Sequence, residues 1–149
     1  MPGSEGLPIG LEVARTGRLL QRAFDEALGE VGGSLPTWLI LTTVKRAGRP
    51  IQRDIAAAVG LEGATLTHHL HRMEREGLIT RERPADNRRQ QVVALTPQGE
   101  RLFQRMLATV LAFDTRLRQG LSARQLAQLA ELLARLRANV GDGVAEART

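Results

Sequence analysis

Between Ile9 and Val31 the apolar positions Leu11, Ala14, Leu19, Leu20, Ala23, Phe24, Ala27 and Leu28 recur at three- and four-residue steps. That is the period of an α-helix, and Gly32-Gly33 ends it. Ile9, Val13 and Val31 widen the stripe beyond one helix face, so part of it is expected to be buried against another chain. Residues 1–8 read as a frayed lead-in. Ser34-Leu35-Pro36 is a start signal, with Pro36 in the first turn, and the apolar run Thr37 to Val44 reads as a buried helix ended by Gly48. Pro50 opens a short helix, Ile51 to Val59, closed by Gly60. Another runs from Gly63 to about Glu76, closed by Gly77, with Leu66, Leu70 and Met73 inward. Two short helices joined by a tight turn form a helix-turn-helix pattern.

The period then changes from helical to two. Leu78 to Arg83 and Gln90 to Leu95 alternate like strands around the turn cluster Pro84-Ala85-Asp86-Asn87, predicting one β-hairpin with Arg88 and Arg89 at its tip. Thr96-Pro97 starts a long helix that ends at Gly120. Ser122-Ala123-Arg124-Gln125 is a capping box opening a last helix to about Val140, with Leu126, Leu129, Leu132, Leu133 and Leu136 in near-heptad steps. Residues 141–149 form a polar tail. The fold class is therefore mainly α with a small β-hairpin.

Composition narrows the function. A chain of 149 residues fits one domain. Lys+Arg 21 against Asp+Glu 16 leaves +5, which favours a polyanionic partner, and every one of those cations except Lys45 is an arginine. With no cysteine, disulfides, thiolate nucleophiles and thiolate zinc sites are excluded. With no tyrosine and 3% aromatics, a base-stacking platform for single strands is excluded as well. No apolar run approaches a membrane span and no signal peptide is visible, so a cytoplasmic protein is expected.

Few residues offer chemistry. Ser34 and Ser122 sit where helix caps are wanted, and the three histidines, His68, His69 and His71, share one helix, so no convergent catalytic triad is predicted. His68 and His71 could clip an ion, but no further ligands complete a set; neither metal nor cofactor is expected. The same helix reads better as a recognition helix. Its outward face presents Ala64, Thr65, Thr67, His68, His71, Arg72 and Arg75, small residues for close approach to base edges followed by donors for bases or phosphates. Gln52 and Arg53, in the first turn of the preceding helix, are expected to be exposed and to meet a phosphate. At the hairpin, Arg88 or Arg89 suits a minor groove, and Asp86 is placed to hold the loop or aim a guanidinium.

Gly77-Leu78-Ile79-Thr80-Arg81, Asp86-Asn87-Arg88-Arg89 and Val93-Ala94-Leu95-Thr96-Pro97-Gln98-Gly99 resemble, in order and spacing, the GLV-x-R, D-x-R and V-x-LT-x-x-G pattern of the MarR family of bacterial transcriptional regulators. The resemblance spans Ile9 to Val140. Leu66-Thr67-His68-His69-Leu70 looks like the family's recognition-helix core, departing at His68, where Arg is more usual, and at His69, where an apolar residue is. The resemblance implies a single domain over 1–149, with a winged helix-turn-helix DNA-binding lobe at 36–96 and dimerisation helices at 9–31 and 97–140. It also implies a homodimer on a pseudo-palindromic double-stranded operator, commonly a repressor released by a small aromatic anion, for which Arg15, Phe24 and Trp38 are candidate contacts. The family's cysteine-based sensing is excluded by composition. The rival expectation is a winged-helix module that docks on a protein partner without specific DNA binding.

Overall fold

The computed structural model describes residues 6–141; most of the expected lead-in and tail lies outside them. Six helices and two strands follow in the expected order: α1 (Ile9–Gly29), α2 (Leu35–Ala47), α3 (Gln52–Val59), α4 (Gly63–Arg75), β1 (Ile79–Glu82), β2 (Val92–Leu95), α5 (Pro97–Leu117) and α6 (Ala123–Asn139). Local chemistry sets most boundaries. Ser34 caps α2 by accepting from the Thr37 backbone N–H at 3.3 Å, and Gly60, at φ 68°, closes α3 in the left-handed region. At the end of α4 the Leu78 N–H donates to the Met73 carbonyl and the Gly77 N–H to the Glu74 carbonyl. Gly77 adopts φ 73° there, so the chain reverses and drops Leu78 into the core.

Contacts divide the chain into two compact units, Met1–Phe113 and Asp114–Thr149. The buried positions of α5 are Gly99, Leu102, Phe103 and Met106, all in its N-terminal half.

The first unit holds the core. Ile40, Leu41 and Val44 of α2, Ile55 of α3, Leu66, Leu70 and Met73 of α4, Val93 of β2 and Met106 of α5 are all fully buried. Burial of each such side chain contributes about 1.5–3 kcal/mol. From α1 only Leu28 joins them fully; Ile9 and Leu19 each keep 66% of their surface.

Thr96 fastens the end of the hairpin to this core. Its hydroxyl donates to the Gly77 carbonyl at 2.6 Å and accepts from the Gly99 N–H at 3.0 Å, capping α5, while its own N–H donates to the Leu78 carbonyl. That approach is so close that a Cβ at Gly99 would overlap the Leu78 carbonyl oxygen.

The β1–β2 hairpin pairs Ile79 with Leu95 and Glu82 with Val92. Its strands are shorter than the alternation predicted, leaving residues 83–91 as the connecting loop. A third extended segment, not anticipated, lies on the other edge of β2. Ile51 forms an antiparallel bridge with Val92, the Val93 N–H donates to the Pro50 carbonyl at 2.9 Å, and the Gln52 N–H donates to the Gln91 carbonyl at 2.8 Å. Pro50 has no N–H to contribute, which suits such an edge position.

In the second unit, α6 starts on the predicted capping box. Ser122 Oγ accepts from the Gln125 N–H, and Gln125 Oε1 accepts from the Ser122 N–H at 2.8 Å. Leu129 and Leu132 are exposed along it, and Val140 just beyond its end. Among the described residues no helix is long and apolar enough to cross a membrane.

Candidate nucleic-acid interface

The candidate surface is assembled from α3, α4 and the loop between the strands. On α4, Ala64, Thr65, His68, His71 and Arg75 are exposed, leaving a small-residue entrance at the N-terminal end and cations further on. Arg72 is half-buried, with its Nε 3.9 Å from Glu76.

Of the residues expected on the free face, Gln52 and Thr67 are half-buried and tied into the protein, while His71 stays exposed but bonds to the hairpin. Gln52, predicted to be exposed, is half-buried; its Nε2 donates to Thr67 Oγ1 at 2.7 Å, and its backbone N–H is used by Gln91. The cause is the extended Pro50–Gln52 segment, which draws the start of α3 against β2. Thr67 Oγ1 accepts from Gln52 and donates to the Gly63 carbonyl at 2.8 Å, so its one proton is committed within the helix pair and not offered to a base. His71 Nδ1 lies 2.9 Å from an Arg81 guanidinium nitrogen, joined to the hairpin.

His69 is half-buried, and its Nδ1 is buried without a partner. Desolvation, aided by Arg72 and His68, lowers its pKa below the ordinary imidazole value. It is a packing residue. No cluster of three or more metal-ligating side chains occurs among the described residues.

At the base of the loop the structure gathers cations that the sequence only scattered. Arg83, Arg88 and Arg89, with Gln52 and Gln91, line a groove of about 380 Å3. A second hollow of about 250 Å3 is lined by Ile51, Arg53, Asn87, Arg89 and Gln90, so Arg89 stands between the two and Arg53 approaches the loop from α3. No carboxylate lines either. Arg83 carries no signal in the sequence, where it ends a run of strand-like alternation. Asn87, read as generic turn chemistry, holds the loop: its Oδ1 accepts from the Arg89 N–H at 3.2 Å, and its backbone bridges Pro84 and Gln90. Asp86 was expected in that role. It is exposed, and among the described residues no hydrogen bond or ion pair reaches it; the Arg89 N–H is taken by Asn87 instead.

The candidate effector contacts are not gathered into one seat. Phe24 packs on Phe113 at 5.1 Å between ring centroids, and Trp38 stacks on Phe103 at 5.4 Å, nearly parallel. Arg15 is exposed in a shallow hollow on α1 with Arg18 and Arg22. A larger cleft, about 470 Å3, lies between α1 and the start of α2, lined by Arg18, Arg22, Leu35, Pro36, Leu39 and Leu61 among others.

A helix-turn-helix continued by a basic β-hairpin defines the winged helix-turn-helix class. A family model described as MarR family matches residues 34–90. The crystal structure of transcriptional regulator PA3341 is similar over 89% of this chain and 98% of its own, at 30% identity and a TM-score of 0.74. A MarR-family transcriptional regulator from Rhodococcus sp. RHA1 is 26% identical over 89% of this chain and 96% of its own, with a TM-score of 0.76. A mutant MarR from E. coli, crystallised with operator DNA, shares the fold at 20% identity and a TM-score of 0.79, over 87% and 94% of the two chains. The chain belongs to the MarR family.

Proposed function

We propose that this protein is a sequence-specific double-stranded DNA-binding regulator. In this reading it is a repressor that works as a homodimer on a pseudo-palindromic operator, with α4 in the major groove and the wing in the flanking minor groove. The observation that carries the reading is the carboxylate-free groove at the wing base, where Arg83, Arg88 and Arg89 converge beside the exposed face of α4. Guanidiniums so grouped suit phosphates and the negative potential of a narrow minor groove. Thr65 and His68 are the base-reading residues on this account, while Thr67 and Gln52 hold the helices together.

Effector release is part of the same reading, with the seat moved along α1. Phe24 and Trp38 already face other rings, whereas the cleft joins an apolar floor of Leu35 and Leu39 to Arg18 and Arg22; its one carboxylate, Asp25, accepts from the Leu35 N–H, so the two guanidiniums suit an aromatic carboxylate.

The test is a titration against duplexes selected by the protein from a random pool and against a scrambled control. Thr65→Ala and His68→Ala should each cost about 1–3 kcal/mol on the selected duplex and much less on the control. Equal losses on both duplexes would remove base reading, and no duplex binding at all would favour a protein-docking module.

A further inference from the structure

Arg81 is an arginine that no solvent-facing role explains. Its side chain keeps 6% of its surface, it lies on β1, and its contacts are with the recognition helix. The guanidinium forks: Nε and one terminal nitrogen donate to the two Glu74 oxygens at 3.4 and 3.2 Å, and that same terminal nitrogen lies 2.9 Å from His71 Nδ1. A guanidinium only donates, so Nδ1 must accept. His71 is therefore neutral in this arrangement, with its proton on Nε2.

We propose that Arg81 is a positioning residue for DNA recognition: it fixes the wing strand to the recognition helix through Glu74 and neutral His71, and protonating His71 opens that joint. The inference rests on the DNA-binding reading above.

Protonated His71 presents an N–H to a guanidinium that has only N–H groups to offer. Two donors and two positive charges then meet at hydrogen-bonding distance, and Arg81 keeps Glu74 alone. His71 and Glu74 are exposed, so water screens part of the repulsion, but among the described residues no other acceptor takes the place of Nδ1 for Arg81. On its own helix His71 has His68 one turn back, and Glu74 and Arg75 one turn on. From β1 it faces Arg81, and from α2 and α3, the other helices against α4, no charged group reaches it within ion-pairing distance among the described residues. Glu74 is the one anion nearby; its carboxyl is held below the usual range, first by the hydrogen bond from Arg81, so it stays charged while imidazoles titrate.

The consequence has a sign that ordinary electrostatics does not share. Added positive charge tightens binding to any polyanion. An opened joint misaligns wing and helix, so the selected site is lost while random duplex is held as well or better.

The experiment has two arms on the full chain. In the first, without DNA, 15N NMR of the imidazoles at about pH 7.5 should show His71 as the Nε2–H tautomer with Nδ1 accepting, the pattern disappearing at about pH 5.5; an Nδ1–H or averaged tautomer at the higher pH overturns the joint. In the second, the ratio of dissociation constants at the two pH values is measured within each protein, on a duplex selected from a random pool and on its scramble. Wild type should weaken on the selected duplex by about tenfold on acidification, the size of one lost charge-assisted hydrogen bond. The scramble should not weaken. In His71→Gln, whose carbonyl accepts from Arg81 but cannot titrate, the acid loss should vanish whatever its absolute affinity; a His71→Gln profile matching wild type overturns the proposal. Arg81→Gln, checked for folding by circular dichroism, should be weak and flat with pH. If wild type binds no duplex specifically while the NMR arm shows the joint, the DNA-binding reading fails and the recognition role falls with it, whereas the joint itself stands.

Discussion

One absent methyl group shapes the junction between wing and α5. At position 99 a Cβ would overlap the Leu78 carbonyl oxygen, a backbone atom that already accepts from Thr96 and cannot swing aside. Gly99→Ala should therefore destabilise by about 3 kcal/mol, the upper range for overpacking a fixed wall. Urea denaturation would measure it, and a midpoint within error of wild type would mean that the contact relaxes freely. His69 gives a second expectation of known sign. Burial lowers its pKa, so the unfolded chain binds a proton more readily than the folded one. Its contribution is unfavourable below the unfolded imidazole value and disappears as pH rises above it. His69→Leu should thus flatten the loss of thermal stability between about pH 7 and pH 5, where the unfolded imidazole titrates. Melting curves across that range decide it; a variant as acid-sensitive as wild type would place the titrating group elsewhere.

Elements joined by neighbouring residues were legible in the sequence; those joined across the fold were not. The Ser122–Gln125 box, the Thr96 cap and the Gly77 terminator each complete their hydrogen bonds within a few residues or at a turn, so spelling alone reveals them. The edge segment at Pro50–Gln52 depends on β2 forty residues later, and its three-residue length carries no alternation. The same holds for the candidate site. Its exposed cations at 53, 88 and 89 were readable as charges, but the commitment of Gln52 to Thr67 and of His71 to Arg81 arises only from tertiary contact. The wing supplies the expectation at this scale. Arg89→Ala, removing the guanidinium shared by both hollows, should lower the salt dependence of DNA binding by about one charge. Asn87→Ala should weaken binding by freeing the loop, and Asp86→Ala should not, since Asp86 holds nothing there. Affinity against salt for the three variants separates these outcomes; a weakened Asp86→Ala with an intact Asn87→Ala would return the turn to the carboxylate.

At the scale of the whole molecule, each of the two units leaves apolar surface in water. Ile9, Leu11 and Leu19 on α1, Leu129 and Leu132 on α6, and Val140 just after it, are exposed. Large apolar side chains left in water in such numbers suit association. Leu19→Glu and Leu129→Glu should each shift the protein toward monomer in sedimentation velocity without unfolding the first unit's core, to which neither belongs. A wild-type chain that sediments as a monomer at micromolar concentration would sink the homodimer. One further property follows from the ion pair between Lys45 and Glu100, which lies on α2 and α5 with the ammonium near the Phe103 ring. Lys45 is the only lysine in the chain, so all side-chain amine chemistry is confined to that spot on α2. Acylation, whether by an enzyme or by a reagent, therefore leaves every guanidinium of the candidate interface charged, and guanidiniums keep their proton to beyond about pH 12. The same arrangement makes the protein easy to label at one side-chain position, with a dye on α2 that leaves the charges of the candidate surface unaltered.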